Sequence, residues 1–114
     1  MRKVQSWSSK NIWGETERSY RLPRRVTATL MVDLAGHVEE VTGPWVSILR
    51  AELWMEGTRV WLTAQRGDEL LRATADDPHH WNFAELDRRV ALVCGQLEEL
   101  ENDVDRRTPL RLAS

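Results

Sequence analysis

Two glycines divide the stretch from Ser47 to Ala73 into three runs, and within each run the aliphatic residues fall on every second position. Leu49, Ala51 and Leu53 form the first set, Val60, Leu62 and Ala64 the second, Leu71 and Ala73 the third. Period-two patterning of this kind belongs to strands with one buried face, and it fixes register, because a slip of one residue turns every side chain over. A turn at Glu56-Gly57 sets Leu53 opposite Val60, Ala51 opposite Leu62 and Leu49 opposite Ala64. Glutamate is a poor first residue for a two-residue turn, so a looser four-residue loop with the same register fits equally well. A second turn at Arg66-Gly67 sets Leu62 beside Leu71 and Val60 beside Ala73. The expectation is a three-stranded antiparallel meander over about 46–74 with a continuous apolar face.

That face needs a cover, and residues 82–104 supply the strongest helical signal. Phe83, Leu86, Val90, Val93, Leu97, Leu100 and Val104 recur at three- and four-residue steps, and Asn82 with Glu85 has the spacing of a capping box. The reading is one long C-terminal helix packed on the sheet. Residues 25–41 are ambiguous, since Val26, Leu30, Leu34, Val38 and Val41 fit a helical stripe while Val26, Ala28, Leu30, Val32 and Leu34 fit alternation. β-Branched residues and the turn chemistry of Asp33–Gly36 favour strands at 25–33 and 37–42. The fold class expected is therefore α+β: an antiparallel sheet of four to six strands, one long helix over about 82–104, and an extended N-terminal arm.

Charge supports that division. Residues 1–25 carry seven Lys/Arg against two Glu, residues 26–105 six Arg against sixteen acids, and the last nine residues three Arg. A basic aromatic arm (1–24), an acidic α+β domain (25–104) and a short basic tail (105–114) follow one another, within a net charge of −2. At 114 residues the chain is one domain. No run reaches the ~20 apolar residues of a membrane span. With a single cysteine, Cys94, no internal disulfide forms, so a cytoplasmic location is expected, in the host cytoplasm if a phage encodes it. Arginine outnumbers lysine fourteen to two, the signature of GC-rich codons, which points to a GC-rich bacterium or its phage.

Function is argued from the six tryptophans. The meander completes its apolar face without Trp54 and Trp61, which fall on the opposite face with Ile48, Arg50, Glu52, Arg59, Thr63, Leu70 and Arg72. Trp54 opposes Arg59, and Trp61 sits between Glu52 and Arg72. Trp and Arg are enriched where proteins meet partners, so Trp54, Arg59, Trp61, Arg72 and Arg50, with Trp7 and Trp13 of the arm, are the candidate partner-binding residues. The bland alternative is that the arm folds across this face and finishes the domain. The function expected is a small non-enzymatic protein–protein interaction module, an accessory, assembly or inhibitor-like factor, with a homo-oligomer among its assemblies. The alternative is a nucleic-acid-binding regulator using Arg2, Lys3, Lys10, Arg18, Arg21, Arg24 and Arg25, interleaved with aromatic residues. A pI near 5.9 weighs against it.

A metal-dependent enzyme ranks third, on the loop from Asp76 to His80 alone, because adjacent histidines do not by themselves converge on one ion. Cys94 sits in an acidic helix, the wrong setting for a nucleophile. No phosphate loop, nucleophile elbow or HExxH occurs. Catalytic residues, metal ligands, cofactors and a small-molecule substrate are therefore not assigned.

Overall fold

The computed structural model describes residues 3–76 and 83–95. Six antiparallel strands, β1 (Gln5–Lys10), β2 (Thr16–Arg21), β3 (Glu39–Thr42), β4 (Ser47–Met55), β5 (Thr58–Gln65) and β6 (Leu70–Ala75), form one sheet in the order β1-β2-β6-β5-β4-β3. Two short helices, α1 (Ala28–Ala35) and α2 (Ala84–Val93), accompany it. β3 to β6 are a simple meander, and the β1–β2 hairpin joins the β6 edge.

The first turn of the meander behaves as its sequence requires. Leu53 pairs with Val60, Ala51 with Leu62 and Leu49 with Ala64. The loop has two residues, Glu56 (φ 53°) and Gly57 (φ 81°), the left-handed pair that matches strand twist. At the second turn the structure corrects the expected register. Leu62 pairs with Ala73 and Ala64 with Leu71, a slip of two residues. Residues 66–69 form a longer loop because they dock on the chain that follows β2. Gly67 N–H donates to Val26 O (2.9 Å), Val26 N–H to Asp68 O (2.7 Å) and Leu22 N–H to Glu69 O (2.7 Å). A slip of two preserves parity, so the aliphatic residues still share one face.

Three expectations are overturned. Residues 5–21 are no extended arm. The turn at Asn11–Gly14 folds them into a hairpin, with Gly14 at φ 77° and Asn11 Oδ1 accepting from the N–H groups of Trp13 and Glu15. Residues 28–35 are helix rather than strand. Thr27 caps α1 by accepting from Leu30 N–H (3.2 Å), and Gly36 (φ 84°) ends it by donating to Val32 O. What looked like turn chemistry at 33–36 is the C-terminus of that helix. The long helix over 82–104 is also replaced: α2 has ten residues, ends at Cys94-Gly95 with Gly95 at φ 82°, and carries no side-chain cap at Phe83. Asn82, Leu97, Leu100 and Val104 lie outside the described residues.

The core lies between the inner sheet face and the two helices. Tyr20, Leu49, Leu62, Leu71 and Val60 from the sheet meet Leu30, Met31 and Leu34 of α1 and Leu86 and Val90 of α2, all essentially inaccessible. A polar cluster fastens α2 to β2. Asp87 accepts from Tyr20 Oη (2.6 Å) and, side-on, from Arg18 Nε (3.2 Å) and Nη2 (2.8 Å). Burial, and then the bond to Asp87, push the Tyr20 phenol well above its ordinary range. Arg89 Nη1 donates to Leu34 O (3.2 Å), where a helix C-terminus attracts positive charge.

Candidate functional surface

With both helices on one side, the other face of the sheet is uncovered among the described residues. Alternation along each strand sets its membership, which includes Trp7 on β1, Glu17, Ser19 and Arg21 on β2, Arg72 and Thr74 on β6, Arg59, Trp61 and Thr63 on β5, and Arg50, Glu52 and Trp54 on β4. The pairings Trp54–Arg59 and Trp61–Glu52 are those the sequence implies. On its other side Trp61 meets Thr74 rather than Arg72, the consequence of the two-residue slip.

At the centre, the Arg59 guanidinium lies between two indoles, 5.2 Å from the Trp54 ring centroid and 5.4 Å from that of Trp61. Cation–π attraction of this kind contributes about 0.5–1 kcal/mol at exposed sites. Its Nε is shielded from solvent and makes no hydrogen bond, lying 3.7 Å from Glu52 Oε2 and 3.9 Å from Asp76 Oδ2. Trp61 Nε1 donates to Asp76 Oδ1 at 2.8 Å, which fixes the ring. The indoles are thus oriented, yet Trp54 is 66% and Trp61 41% exposed. Beside Trp61 a hollow of about 240 Å³ is lined by His37, Glu39, Arg50, Glu52 and Thr63. His37 Nε2 accepts from the backbone N–H of Glu52 (3.3 Å), standing where β3 would otherwise continue.

Arg50 and Arg72 share the face, each near a carboxylate: Arg50 with Glu39 at 3.3 Å and Arg72 with Glu17 at 3.7 Å. Trp7 belongs to the same face, at its β1 edge, so it enlarges the surface rather than folding across it. Trp13 stands apart on the β1–β2 turn, 76% exposed. Sequence reasoning missed Trp45, which projects from the β3–β4 turn at 92% exposure. A tryptophan directly after Thr42-Gly43-Pro44 was the available signal.

The six of the seven basic residues that are described do not form one patch. Arg18 is engaged by Asp87, Ser6 and Ser8. Lys10 bonds Thr16 Oγ1. Lys3 and Arg21 line a hollow of about 230 Å³ with Gln5 and Leu22, and Arg24 and Arg25 are exposed on the segment after β2. Arg2 lies outside the described residues, as do Asp77 to His80 of the third reading, and Asp76 is engaged with Trp61 and Arg59. Burial pushes the Cys94 thiol up, partly opposed by Arg24. No helix among the described residues is long and apolar enough to cross a membrane. Comparison with protein-family models, with curated proteins and with solved structures finds no match to this chain.

Proposed function

We propose that this chain is a small non-enzymatic interaction module that binds another protein through the open sheet face centred on Trp54, Arg59 and Trp61. The observation that carries the reading is the pair of oriented but exposed indoles. Fixing a large side chain before binding lowers the entropy lost on association, and aromatic and arginine residues in such settings dominate binding energy. The pairing of Arg50, Arg59 and Arg72 with carboxylates also favours a protein over a polyanion.

The test is a double substitution, Trp54→Thr with Trp61→Thr. Both positions are solvent-facing on strands, so the expected product folds, with its melting temperature lowered by only a few degrees. The proteins it captures from a lysate of the source cells should lose the members that the native chain retains. Unchanged capture sinks the reading, and so does collapse of the fold, which would make the face structural. A second reading rests on the hollow lined by Lys3 and Arg21, neither of which has an acidic partner among the described residues. Nucleic acid held there would give a gel shift that weakens steeply with salt, and Lys3→Glu with Arg21→Glu would abolish it.

A further inference from the structure

The two edges of the sheet are not equivalent, and from the difference we infer that two copies of this chain join through β1, edge to edge, about a two-fold axis. The hydrogen bonding of the β1–β2 hairpin shows which groups of β1 are available. Asn11 N–H donates to Glu15 O (2.9 Å), so the pairs that follow at intervals of two, Ser9–Glu17, Trp7–Ser19 and Gln5–Arg21, are the bonded ones. Leu22 N–H donating to Glu69 O on the other side of β2 requires the same phase. The backbone groups of Ser6, Ser8 and Lys10 therefore point outward, away from β2, and meet no partner among the described residues. The strand is six residues long, exposed throughout, and has no bulge, proline or glycine.

The opposite edge is defended by the devices that prevent pairing. β3 has four residues, two of them glutamates, and runs into Gly43-Pro44. An antiparallel pair of β3 strands would bring four glutamates together along a seam four residues long. β1 carries one charge, Lys10, at its end.

A second copy fits β1 in a particular register. If both open faces are to lie on the same side, open-face residues must oppose open-face residues. Centring the seam on Trp7 sets Trp7 against its twin, Ser9 against Gln5 of the other copy, and Ser6 against its Ser8. The position outside a bonded pair is the non-bonded kind, in which side chains approach most closely. Two tryptophans, each 41% exposed in the single chain, would cover each other. Serine hydroxyls would face serine hydroxyls on the inner side. The two copies of Lys10 would end about 20 Å apart along the seam, at ~3.4 Å per residue, beyond the reach of screened repulsion. The product is one twelve-stranded sheet with a continuous open face, closed by symmetry against further growth.

Sedimentation of the whole chain over a wide concentration range should show its mass rise from 13.3 kDa towards twice that value. Trp7→Lys, which opposes two charges at the axis, should hold it at the monomer value. A Cys94→Ser background allows a second variant to fix the register. There, Trp7→Cys should cross-link two chains on oxidation, whereas Ser9→Cys, which faces Gln5, should not. Trp54→Thr with Trp61→Thr should leave the dimer intact, which separates this inference from the proposed use of the open face. A chain that stays monomeric at every concentration overturns the proposal, as does a dimer indifferent to Trp7→Lys or one cross-linked through Ser9→Cys instead. Growth into species larger than dimers, abolished by Glu39→Lys with Glu40→Lys, would show β1–β3 pairing and overturn it as well.

Discussion

Replacing Asp87 by alanine should cost this fold more than any other single substitution of a charged residue among those described. Three side-chain hydrogen bonds end on its carboxylate, from Tyr20 Oη at 2.6 Å and from Arg18 at 3.2 and 2.8 Å. Bonds to charged groups contribute about 1.5–3 kcal/mol each when buried. The Asp87 side chain is about a third exposed, so water restores part of what Arg18 loses. Tyr20 sits at the inner end of the cluster on a wholly buried residue, and its hydroxyl would keep no protein acceptor there. One unsatisfied buried hydroxyl at ~1–2 kcal/mol, with a discounted ion pair at ~1 kcal/mol, gives a loss of about 2–3 kcal/mol. At roughly 4 °C per kcal/mol for a domain of this size, the midpoint should fall by about 10 °C.

Differential scanning calorimetry on four chains measures it: native, Asp87→Ala, Tyr20→Phe and the double variant. Because Tyr20→Phe removes the donor that Asp87→Ala strands, the double variant should lose less than the two singles together, by about 1 kcal/mol. The same contact predicts a pH effect of definite sign. The folded-state phenol titrates above its unfolded value, so its contribution is complete below about pH 10, the ordinary tyrosine range. As pH rises past that value the unfolded chain ionises first and stability declines. Tyr20→Phe should flatten that decline. A loss under ~0.5 kcal/mol for Asp87→Ala, or strict additivity in the cycle, would refute the idea that this cluster fastens α2 to the sheet.

The remaining predictions are local. Glu56 holds φ 53° at the first position of the β4–β5 turn, and Glu56→Asn should raise stability by about 0.5–1 kcal/mol in denaturant titration, since asparagine tolerates that conformation. Thr27→Ala removes the cap of α1 and should cost ~1 kcal/mol by the same assay. The Glu40 carboxyl is held below its ordinary value of 4.5 chiefly by the Arg66 hydrogen bond. Its contribution is present above that value and lost as pH falls through the lower folded one, so Arg66→Gln should move the Glu40 titration back up in an NMR pH series. Arg59→Ala should change the near-ultraviolet dichroism of Trp54 and Trp61 while lowering stability by only about 1 kcal/mol.

How far the chain can be read without coordinates depends on whether a segment has an apolar and a polar side. β4 to β6 do, so their faces follow from the sequence, and even the two-residue register error left every side chain on its proper face. The error itself came from long-range bonds: the 66–69 loop is longer because it binds the backbone of Leu22 and Val26, which no local pattern reports. β1 and β2 lack two distinct sides. Ser6 and Ser8 point inward towards Arg18, Trp7 points outward, and the usual code is nearly inverted, so the hairpin reads as an arm. Only Asn11 and Gly14, three residues apart, mark it. α1 was a tie between periods that Thr27 and Gly36 decide, because a cap and a left-handed terminator at that separation suit a short helix and not a strand. Trp54 and Trp61 emerged as contact candidates by subtraction, being the large residues the apolar face did not need.

Charge is where sequence totals mislead most, and the correction bears on what the open face can bind. A basic first quarter and an acidic remainder suggest a cationic arm available to a polyanion. In three dimensions much of that charge is already engaged. Arg18 of the first segment is held by Asp87 of the body, and Glu17 of the same segment faces Arg72. Arg50 and Arg59 lie beside Glu39, Glu52 and Asp76. Around Trp54 and Trp61, where Arg50, Arg59 and Arg72 already have carboxylates beside them, few counterions are left to release, so association there should depend weakly on salt. Phosphate binding at Lys3 and Arg21 should instead fall steeply with the logarithm of salt concentration. Affinity measured from about 50 to about 500 mM salt for a partner captured through Trp54 and Trp61 therefore separates contact at the centre of the face from contact at its Lys3–Arg21 end. A nearly flat dependence is expected, and a steep one would mean that the tryptophans are incidental to an electrostatic contact made elsewhere.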